Sequence, residues 1–296
     1  MRSILSFDLH ATDTPREIVA CVDQLDSAGW KASFFIPTSL LERADLRSAL
    51  RELGSRGHEL GTHSHMHNGP EKAALRVGSG SDLDFLDRST KLFADFFGRA
   101  PRMFRAPCWA YLGDAALDRL TLLGYRVDSS VTPQRPGILS SYPFDNRHLF
   151  ASRAPVFLRT GLLEVPTSTL LVPLGWPTFC TLRRRLSVMQ ANVLRVEAAL
   201  RRSIVLVGQF HPSDLAPGRG ELPHRTERSW RDFIPQANGG IRARRWLRMT
   251  DRSRVAEVSV AIMMRMSRGE LTTFDRVYAS AALAAHTLTV AHSPAR

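Results

Sequence analysis

The sequence predicts an α/β protein built on a parallel sheet or barrel, followed by a helical C-terminal extension. Short apolar segments of strand type alternate with amphipathic helical segments from the N-terminus to about residue 220, as is typical of parallel sheets. The chain has 296 residues, 44% of them hydrophobic, so one large domain can bury a core. Only 23% are charged, which argues against disorder.

The first strand and the first helix are clearly marked. Residues 4–7 form a short apolar strand, and residues 15–29 follow as a helix that starts with a proline. Thr14 can cap this helix, and Glu17 completes a capping box. Gly29 is the expected C-cap, because glycine tolerates the left-handed conformation that ends many helices.

The remaining elements follow the same alternation. Further strands are predicted at residues 32–36, 58–63, 103–106, 125–129, 162–165 and 204–210. Helices are predicted at residues 41–53, 83–97, 114–123 and 182–201. Polar residues end several of the strands, namely Asp8, His63, Arg105, Asp128 and His211. Because the carboxyl ends of parallel strands meet at one face of a barrel, these side chains are expected around one mouth.

A histidine cluster indicates a metal site. Four of the ten histidines lie between residues 57 and 67. One helical turn would bring the imidazoles of His63 and His67 to the same side, as in many zinc sites. A catalytic site needs a third ligand and an open position for water. Asp8 and His10 offer that ligand, since residues two apart in a strand point the same way.

Four segments together carry a family resemblance. They are SFDLH at residues 6–10, GHELGTHSHMH at 57–67, FRAP at 104–107 and FHP at 210–212, with KASFF at 31–35 as a further match. The chain resembles the polysaccharide deacetylases of the NodB homology fold, also called carbohydrate esterase family four. The segments occur in the family's order and span residues 1 to about 215.

The resemblance implies a distorted (β/α)7-type barrel around a divalent ion and the hydrolysis of an N-acyl group, usually an acetamide on a sugar. By position, Asp8 would be the general base, and His63 and His67 would bind the metal. Arg105 would hold and orient Asp8. His211 would be the general acid that protonates the leaving nitrogen.

The first motif departs from the family pattern. Many relatives carry two adjacent aspartates there, whereas Leu9 follows Asp8 in this chain. On the Asp-x-Asp spacing of a subgroup, His10 fills the metal position, and we predict a site of His10, His63 and His67. Zn²⁺ is the expected ion, with Co²⁺, Ni²⁺ or Mn²⁺ as alternatives. Asp8 itself or Asp13 could also ligate; if no third group does, the chain would be a non-catalytic relative.

Three further residues are predicted to contact the substrate. Gln209 stands where relatives often place an apolar residue that lines the acyl pocket, so a polar acyl group is an alternative to acetyl. The backbone N–H of Cys108 could stabilise the oxyanion. Trp109 could stack on a sugar ring or simply pack at the rim. Asp128 or Asp214 could tune the general acid.

These residues predict hydrolysis of an acetyl or formyl amide on an amino sugar, a sugar nucleotide or a glycolipid precursor. The alternative is a hydrolase of another non-peptide C–N bond on the same fold. The N-terminus lacks a signal-peptide pattern, which predicts a cytoplasmic protein with a small-molecule or lipid-linked substrate. The three cysteines are widely spaced, and free thiols are expected.

The net charge of +12 is carried almost entirely by arginine, since the chain has only three lysines. Nucleic-acid binding is not expected, because an excess of arginine over lysine is typical of coding composition rather than of a binding surface. We predict a barrel over residues 1–222 and a basic, helical extension over residues 223–296. Residues 255–266 are apolar and compatible with a helix. The extension could pack on the barrel, on a partner subunit or on a membrane surface.

Overall fold

The structure is a computed structural model that describes residues 1–135, 147–216, 230–234, 249 and 251–291, with only the backbone at 176–182, 232 and 287–291. The strands are β1 (Arg2–Asp8), β2 (Ser33–Ile36), β3 (Glu59–Thr62), β4 (Met103–Phe104), β5 (Val127–Asp128), β6 (Val156–Phe157), β7 (Leu163–Glu164), β8 (Thr169–Leu170), β9 (Val172–Pro173), β10 (Val205–Phe210) and β11 (Glu270–Leu271). The α-helices are α1 (Pro15–Ser27), α2 (Arg47–Ser55), α3 (Gly69–Val77), α4 (Asp84–Phe97), α5 (Asp114–Leu122), α6 (Arg147–Phe150), α7 (Trp176–Leu200), α8 (Arg252–Met266) and α9 (Phe274–Ala291).

The main sheet confirms the predicted α/β fold. Its strand order is β10-β1-β2-β3-β4-β5-β7-β6, and β11 pairs with the start of β1. Every pair in it is parallel except the one between β6 and β7. The sheet curls into a half-barrel. Near the open side of the half-barrel, the backbone N–H of Ser168 donates to the carbonyl of Val207 at 3.0 Å. The backbone N–H of Gln209 donates to the carbonyl of Leu174 at 2.9 Å.

Apolar packing on both faces holds β1 at the centre of the sheet. Six of its seven residues are buried, as expected for a central parallel strand. The ring of Phe7 lies 5.0 Å from that of Phe34 and 5.6 Å from that of Phe210, so the side chains of three adjacent strands pack together. Between β3 and β4 the backbones approach closely at Gly61, where a Cβ atom would lie 2.4 Å from the carbonyl oxygen of Met103.

The predicted start of α1 is confirmed and its end shifts slightly. Thr14 and Glu17 form the capping box, but α1 ends at Ser27 with Ala28 as its C-cap. Gly29 follows with a φ of +67°, so it takes the left-handed position just beyond the cap.

The predicted helix at residues 41–53 is wrong in part. A 3₁₀ helix, Thr38–Glu42, comes first, and α2 begins only at Arg47. Arg43 between them is extended, because its guanidinium bonds the carbonyl of Ala11 at 2.7 Å and the carboxylate of Asp45. These contacts replace the helical hydrogen bonds that the local sequence favours.

The described part of the C-terminal extension packs on the barrel. The buried side of α8 joins the core cluster of Leu5 and Phe210 through Val255, Ile262 and Met266, among others. Phe274 of α9 joins a second cluster on the sheet. The predicted boundary between residues 222 and 223 lies outside the described residues. Among the described helices, none has the length and apolarity needed to cross a membrane.

Cys21 and Cys108 are free, as expected, and Cys21 is buried. The side chain of Cys180 lies outside the described residues.

Candidate metal centre and active site

The predicted site residues lie at the carboxyl edge of the sheet. Asp8 is the last residue of β1, and His63 and Arg105 directly follow β3 and β4. His211 directly follows β10, and His10 lies two residues beyond β1. Because these strands are parallel neighbours, residues distant in sequence meet at one end of the half-barrel.

Three histidines form a group that could hold a metal ion. His10, His63 and His67 each offer a ring nitrogen, and these atoms all lie within 4.8 Å of one another. The Nδ1 atom of His63 lies 2.7 Å from the carbonyl oxygen of Arg105. Since a carbonyl only accepts, Nδ1 carries the hydrogen and Nε2 is left as a ligand. Three histidines with an open position suit catalytic zinc.

The loop that carries His67 wraps around Glu71 at the start of α3. The carboxylate of Glu71 accepts hydrogen bonds from the backbone N–H groups of Met66 and His67, at 2.9 Å and 3.0 Å, and from the hydroxyl of Ser64. Ser64 and His67 both have positive φ, at 67° and 56°. The loop is therefore held in its turned shape by a buried carboxylate, which local sequence patterns did not reveal.

His10 is fixed by Asp13 through the backbone. The carboxylate of Asp13 accepts the His10 N–H at 2.7 Å, and the Asp13 N–H donates to the His10 carbonyl at 3.0 Å. Burial raises the pKa of Asp13 to about 7. Among the described residues, the group of convergent ligand atoms contains neither Asp13 nor Asp8. Asp13 thus orients the loop of His10, and the prediction of His10 as third ligand has the geometry that it needs.

Burial keeps the two histidines after β3 neutral. It lowers the pKa of His63 well below its ordinary value, helped by the nearby His10. It lowers the pKa of His67 to about 2, and His63 and His10 act in the same direction. Neutral imidazole is the form that binds a metal, so both rings are available as ligands at neutral pH.

Asp8 is held between Arg105 and Gln209. Arg105 Nη1 donates to Asp8 Oδ1 at 2.7 Å, and Gln209 Nε2 donates to Asp8 Oδ2 at 3.1 Å. The second oxygen, Oδ2, also lies 4.0 Å from His63 Nε2. One oxygen is therefore committed to the guanidinium, while the other lies beside the histidine group.

Arg105 itself is fully buried and has several partners. Its Nη1 also donates to the hydroxyl of Ser6 at 3.0 Å. Its Nε and Nη2 bond the carbonyl and the hydroxyl of Ser129 at 3.1 Å and 3.0 Å. The guanidinium carbon lies 4.1 Å above the ring centre of Phe35. These contacts allow one orientation, in which Arg105 aims at Asp8.

His211 lies beside the group formed by His10, His63 and His67. Its ring centre is 4.4 Å from that of His10, and its Nε2 is 3.1 Å from Gln209 Nε2. Asp214 lies on the other side. Its Oδ2 accepts the His211 N–H at 2.6 Å and is 3.8 Å from His211 Nδ1. If Gln209 donates to Nε2, the ring hydrogen is on Nδ1, towards Asp214.

The carboxyl group of Asp128 is hydrogen-bonded to that of Glu164 on β7. The Ser130 hydroxyl donates to Asp128 at 2.5 Å, and Glu164 accepts the Val131 N–H at 3.1 Å. Burial raises the pKa of both carboxyls, and the charge of Asp128 raises that of Glu164 further. Of the two carboxylates considered for His211, the structure places Asp214 beside it.

The three predicted substrate residues take different positions. Gln209 is buried, and its amide points at Asp8 and His211. Cys108 and Trp109 form a tight turn after β4 with positive φ values of 55° and 53°. The guanidinium of Arg135 lies 4.9 Å from the ring centre of Trp109, so one face of that indole is stacked by an arginine. Direct substrate contact stays a prediction for all three.

Two other histidines of the cluster, His58 and His65, lie outside the group of His10, His63 and His67. His65 is buried rather than exposed, and its Nδ1 lies 3.0 Å from the Thr38 hydroxyl. The cause is the turn at residues 64–67, which directs it inward. His58 is buried against Phe34 and accepts the Ala32 N–H at 3.3 Å.

Comparison with known proteins identifies the class. Residues 2–127 match a family model described as polysaccharide deacetylase. The match includes the SFDLH, GHELGTHSHMH and FRAP segments, so the resemblance that these three motifs carry is confirmed. Residues 2–127 are thus similar to polysaccharide deacetylases. No curated protein sequence matches the chain significantly.

Solved structures agree on the fold. A candidate polysaccharide deacetylase from Mycobacterium smegmatis aligns with a TM-score of 0.53 and 17% identity, over 92% of this chain and 93% of its own. The chitin deacetylase of Colletotrichum lindemuthianum gives 0.52 and 12%, over 93% and 86%. The peptidoglycan deacetylase PdaC of Bacillus subtilis gives 0.50 and 13%, over 99% and 97%. At such identities the likeness concerns the fold.

Proposed function

We propose that the protein hydrolyses an N-acetyl or N-formyl amide on an amino sugar, a sugar nucleotide or a glycolipid precursor. The observation that carries this proposal is one cluster at the mouth of the half-barrel. There, three convergent histidine nitrogens lie beside a carboxylate held by Arg105, and His211 is close by. Metal-dependent amide hydrolysis requires these three elements together.

His10, His63 and His67 would hold the ion, with Zn²⁺ in first place and Co²⁺, Ni²⁺ or Mn²⁺ as substitutes. When bound there, the ion would make a water more acidic and polarise the acyl carbonyl. The donor set supports this assignment, because the imidazoles of His63 and His67 are neutral and the ring of His63 is oriented by the carbonyl of Arg105, as suits a zinc site.

Side chains of the protein would carry out the proton transfers of the reaction. Asp8 Oδ2 lies on the side of His63 and would take the proton of the attacking water, while Arg105 holds Oδ1. His211 Nε2 would give a proton to the amide nitrogen as the C–N bond breaks. The products are the free carboxylic acid and the amine. Asp214 beside His211 would favour the protonated imidazole that makes this donation.

Gln209 supports a refinement of the acyl group. Its Oε1 is a buried acceptor with no hydrogen-bond partner among the described residues. A buried acceptor at a reaction centre favours a donor from the substrate or from water. We therefore include acyl groups that carry a hydroxyl among the candidate substrates, beside acetyl and formyl.

Action in the cytoplasm stays part of the proposal.

Release of acetate or formate from a panel of N-acylated sugars tests the activity. We expect His63→Ala to lose at least about a hundredfold in kcat/KM, because water activation requires the metal. His65→Ala is the matched control, since His65 lies in the same loop but outside the metal-binding group. Metal analysis should find bound zinc in the parent and little in His63→Ala. Equal rates in parent and His63→Ala would refute the assignment.

A further inference from the structure

Helix α7 has a buried side that fixes it to the barrel. Ser187, Gln190, Ala191, Leu194 and Ala198 are buried, at the spacing of one helix face. Among them, Gln190 also donates to the backbone carbonyls of Leu170 and Val172, at 3.2 Å and 2.7 Å. The helix is therefore anchored and cannot turn its other side inward.

The opposite side of α7 exposes a continuous apolar stripe. Its members are separated by three and four residues in alternation: Leu186 (49% exposed), Met189 (57%), Val193 (47%), Val196 (59%) and Leu200 (81%). We call this set the α7 stripe. A shallow groove of about 440 Å³ runs along it. Single exposed apolar residues are ordinary, but a contiguous row on one helix marks an interaction surface.

Arginines flank both ends of the α7 stripe. Arg185 lies at its start, and Arg201 and Arg202 lie directly beyond its end, all of them exposed. The acidic residue on this part of the helix, Glu197, is already paired with Arg153 at 2.6 Å. The surface is thus apolar along its centre and positively charged at its ends.

The apolar surface continues beyond the end of the helix. Phe150 of α6 is 87% exposed. It lines a cavity of about 420 Å³ together with Arg153 and Arg201. An exposed aromatic ring that shares a cavity with Arg201 adds the same two features, apolar area and positive charge, at the C-terminal end of α7.

We propose that the α7 stripe docks the protein on an anionic membrane surface, with α7 lying in the plane of the interface. An apolar stripe flanked by arginines is typical of helices that bury one side at the headgroup boundary and attract acidic lipids. The overall charge of +12 acts in the same direction. The proposal does not depend on the catalytic activity, because the stripe lies outside the metal centre.

The arginines disfavour a second copy of the chain as the occupant. If two α7 helices paired antiparallel about Val193, Arg185 of one copy would face Arg201 of the other. In a parallel pair each arginine would face its counterpart. Both arrangements bring like charges together, whereas lipid phosphates would neutralise them.

Co-sedimentation of the full chain with vesicles tests the proposal. We expect binding to vesicles that contain phosphatidylglycerol, and much weaker binding to phosphatidylcholine alone. The double variant Val193→Ser, Val196→Ser should bind at least about tenfold more weakly, because less apolar surface enters the interface. The variant Arg185→Gln, Arg201→Gln should also bind more weakly and lose part of its salt dependence.

Leu122→Ser is the matched control, since Leu122 is 82% exposed on α5 and should leave binding unchanged. Circular dichroism and the unfolding midpoint verify that each variant is folded. Absence of parent binding to phosphatidylglycerol vesicles, or equal binding by the stripe variants, would overturn the proposal. So would a parent dimer that the stripe variants convert to a monomer, since α7 would then be a subunit interface.

Discussion

At the scale of single residues, the amide of Gln209 connects the two groups that we propose to move protons. Its Nε2 lies 3.1 Å from Asp8 Oδ2 and 3.1 Å from His211 Nε2. No other side chain described in the structure bonds both. Gln209 therefore acts as a positioning residue in our proposal, whatever acyl group lies beside it.

Gln209→Leu removes this link and keeps most of the side-chain volume. We expect kcat to fall about tenfold with little change in KM. A loss of this size is expected when one hydrogen bond to a charged group is removed. The pH profile of kcat should shift as well, because both proton-transfer groups lose a partner. Gln190→Leu is the control, as Gln190 is buried but bonds backbone carbonyls outside the site. A tenfold loss in both variants would indicate a general packing effect.

Arg105 supports a second prediction at this scale. Arg105→Lys keeps the charge but cannot bond Asp8, Ser6 and Ser129 together. Asp8 would lose its orientation, and we expect kcat to fall about a hundredfold while the protein stays folded. Arg252→Lys is the control, because Arg252 pairs with Glu17 at 2.7 Å far from the reaction centre. Full activity of Arg105→Lys would show that charge alone suffices.

The sequence predicted the residues that the structure brings together at the mouth, and Arg105 beside Asp8, but not most of the other groups that hold them. Asp8, His63 and His211 could be predicted because they follow apolar runs, and parallel strands bring such ends together. The roles of Glu71 and Ser129 could not, since Glu71 acts on a turn whose positive φ values fall on Ser64 and His67 rather than on glycine, and Ser129 contacts Arg105 from the end of another strand. Such supporting bonds have no local sequence signature.

At the scale of elements, Glu59 explains how the extension is attached to the sheet. Its carboxylate accepts the N–H groups of Phe274 and Asp275, at 2.9 Å and 2.7 Å, and so caps the start of α9 from β3. Burial raises the pKa of this carboxyl. The residue lies within the GHELG segment, whose sequence indicated a family motif but not a helix cap.

Removal of this cap should destabilise the protein. We expect Glu59→Ala to lower the free energy of unfolding by about 1–2 kcal/mol, the value of a lost helix cap. Glu270→Ala, on the exposed side of β11, is the matched control. Urea unfolding of both variants measures the difference. Equal stability of Glu59→Ala and the parent would mean that water caps α9 equally well.

Elements were predictable where the pattern is strong and the contacts are local. The strand at residues 204–210 and the helix at 83–97 agree with β10 and α4 to within one residue. Helix α3 was missed, because it starts with glycine and proline and has a short apolar face. The extended residue Arg43 splits another helix through its bond to the carbonyl of Ala11, a contact between distant segments.

At the scale of the whole molecule, buried neutral histidines make the stability depend on pH. His58 shows this away from the metal centre. Burial lowers its pKa to about 4; nearby Asp26 opposes the shift, while Lys31 and Arg56 add to it. In the unfolded chain its pKa returns to about 6.5. Above that value both states are neutral, and His58 has no effect on stability.

As the pH falls from about 6.5 to about 4, the unfolded chain binds a proton at His58 that the folded protein does not, so stability decreases by up to about 3 kcal/mol. Below that range both states are protonated and the loss stops.

His58→Asn keeps an acceptor for the Ala32 N–H but cannot titrate. We expect its unfolding free energy to change less than the parent's between about pH 7 and about pH 4.5, in urea titrations of metal-free protein. His286→Asn, at an exposed position of α9, should behave like the parent. Parallel pH curves for parent and His58→Asn would show that the imidazole gains its proton without leaving the fold.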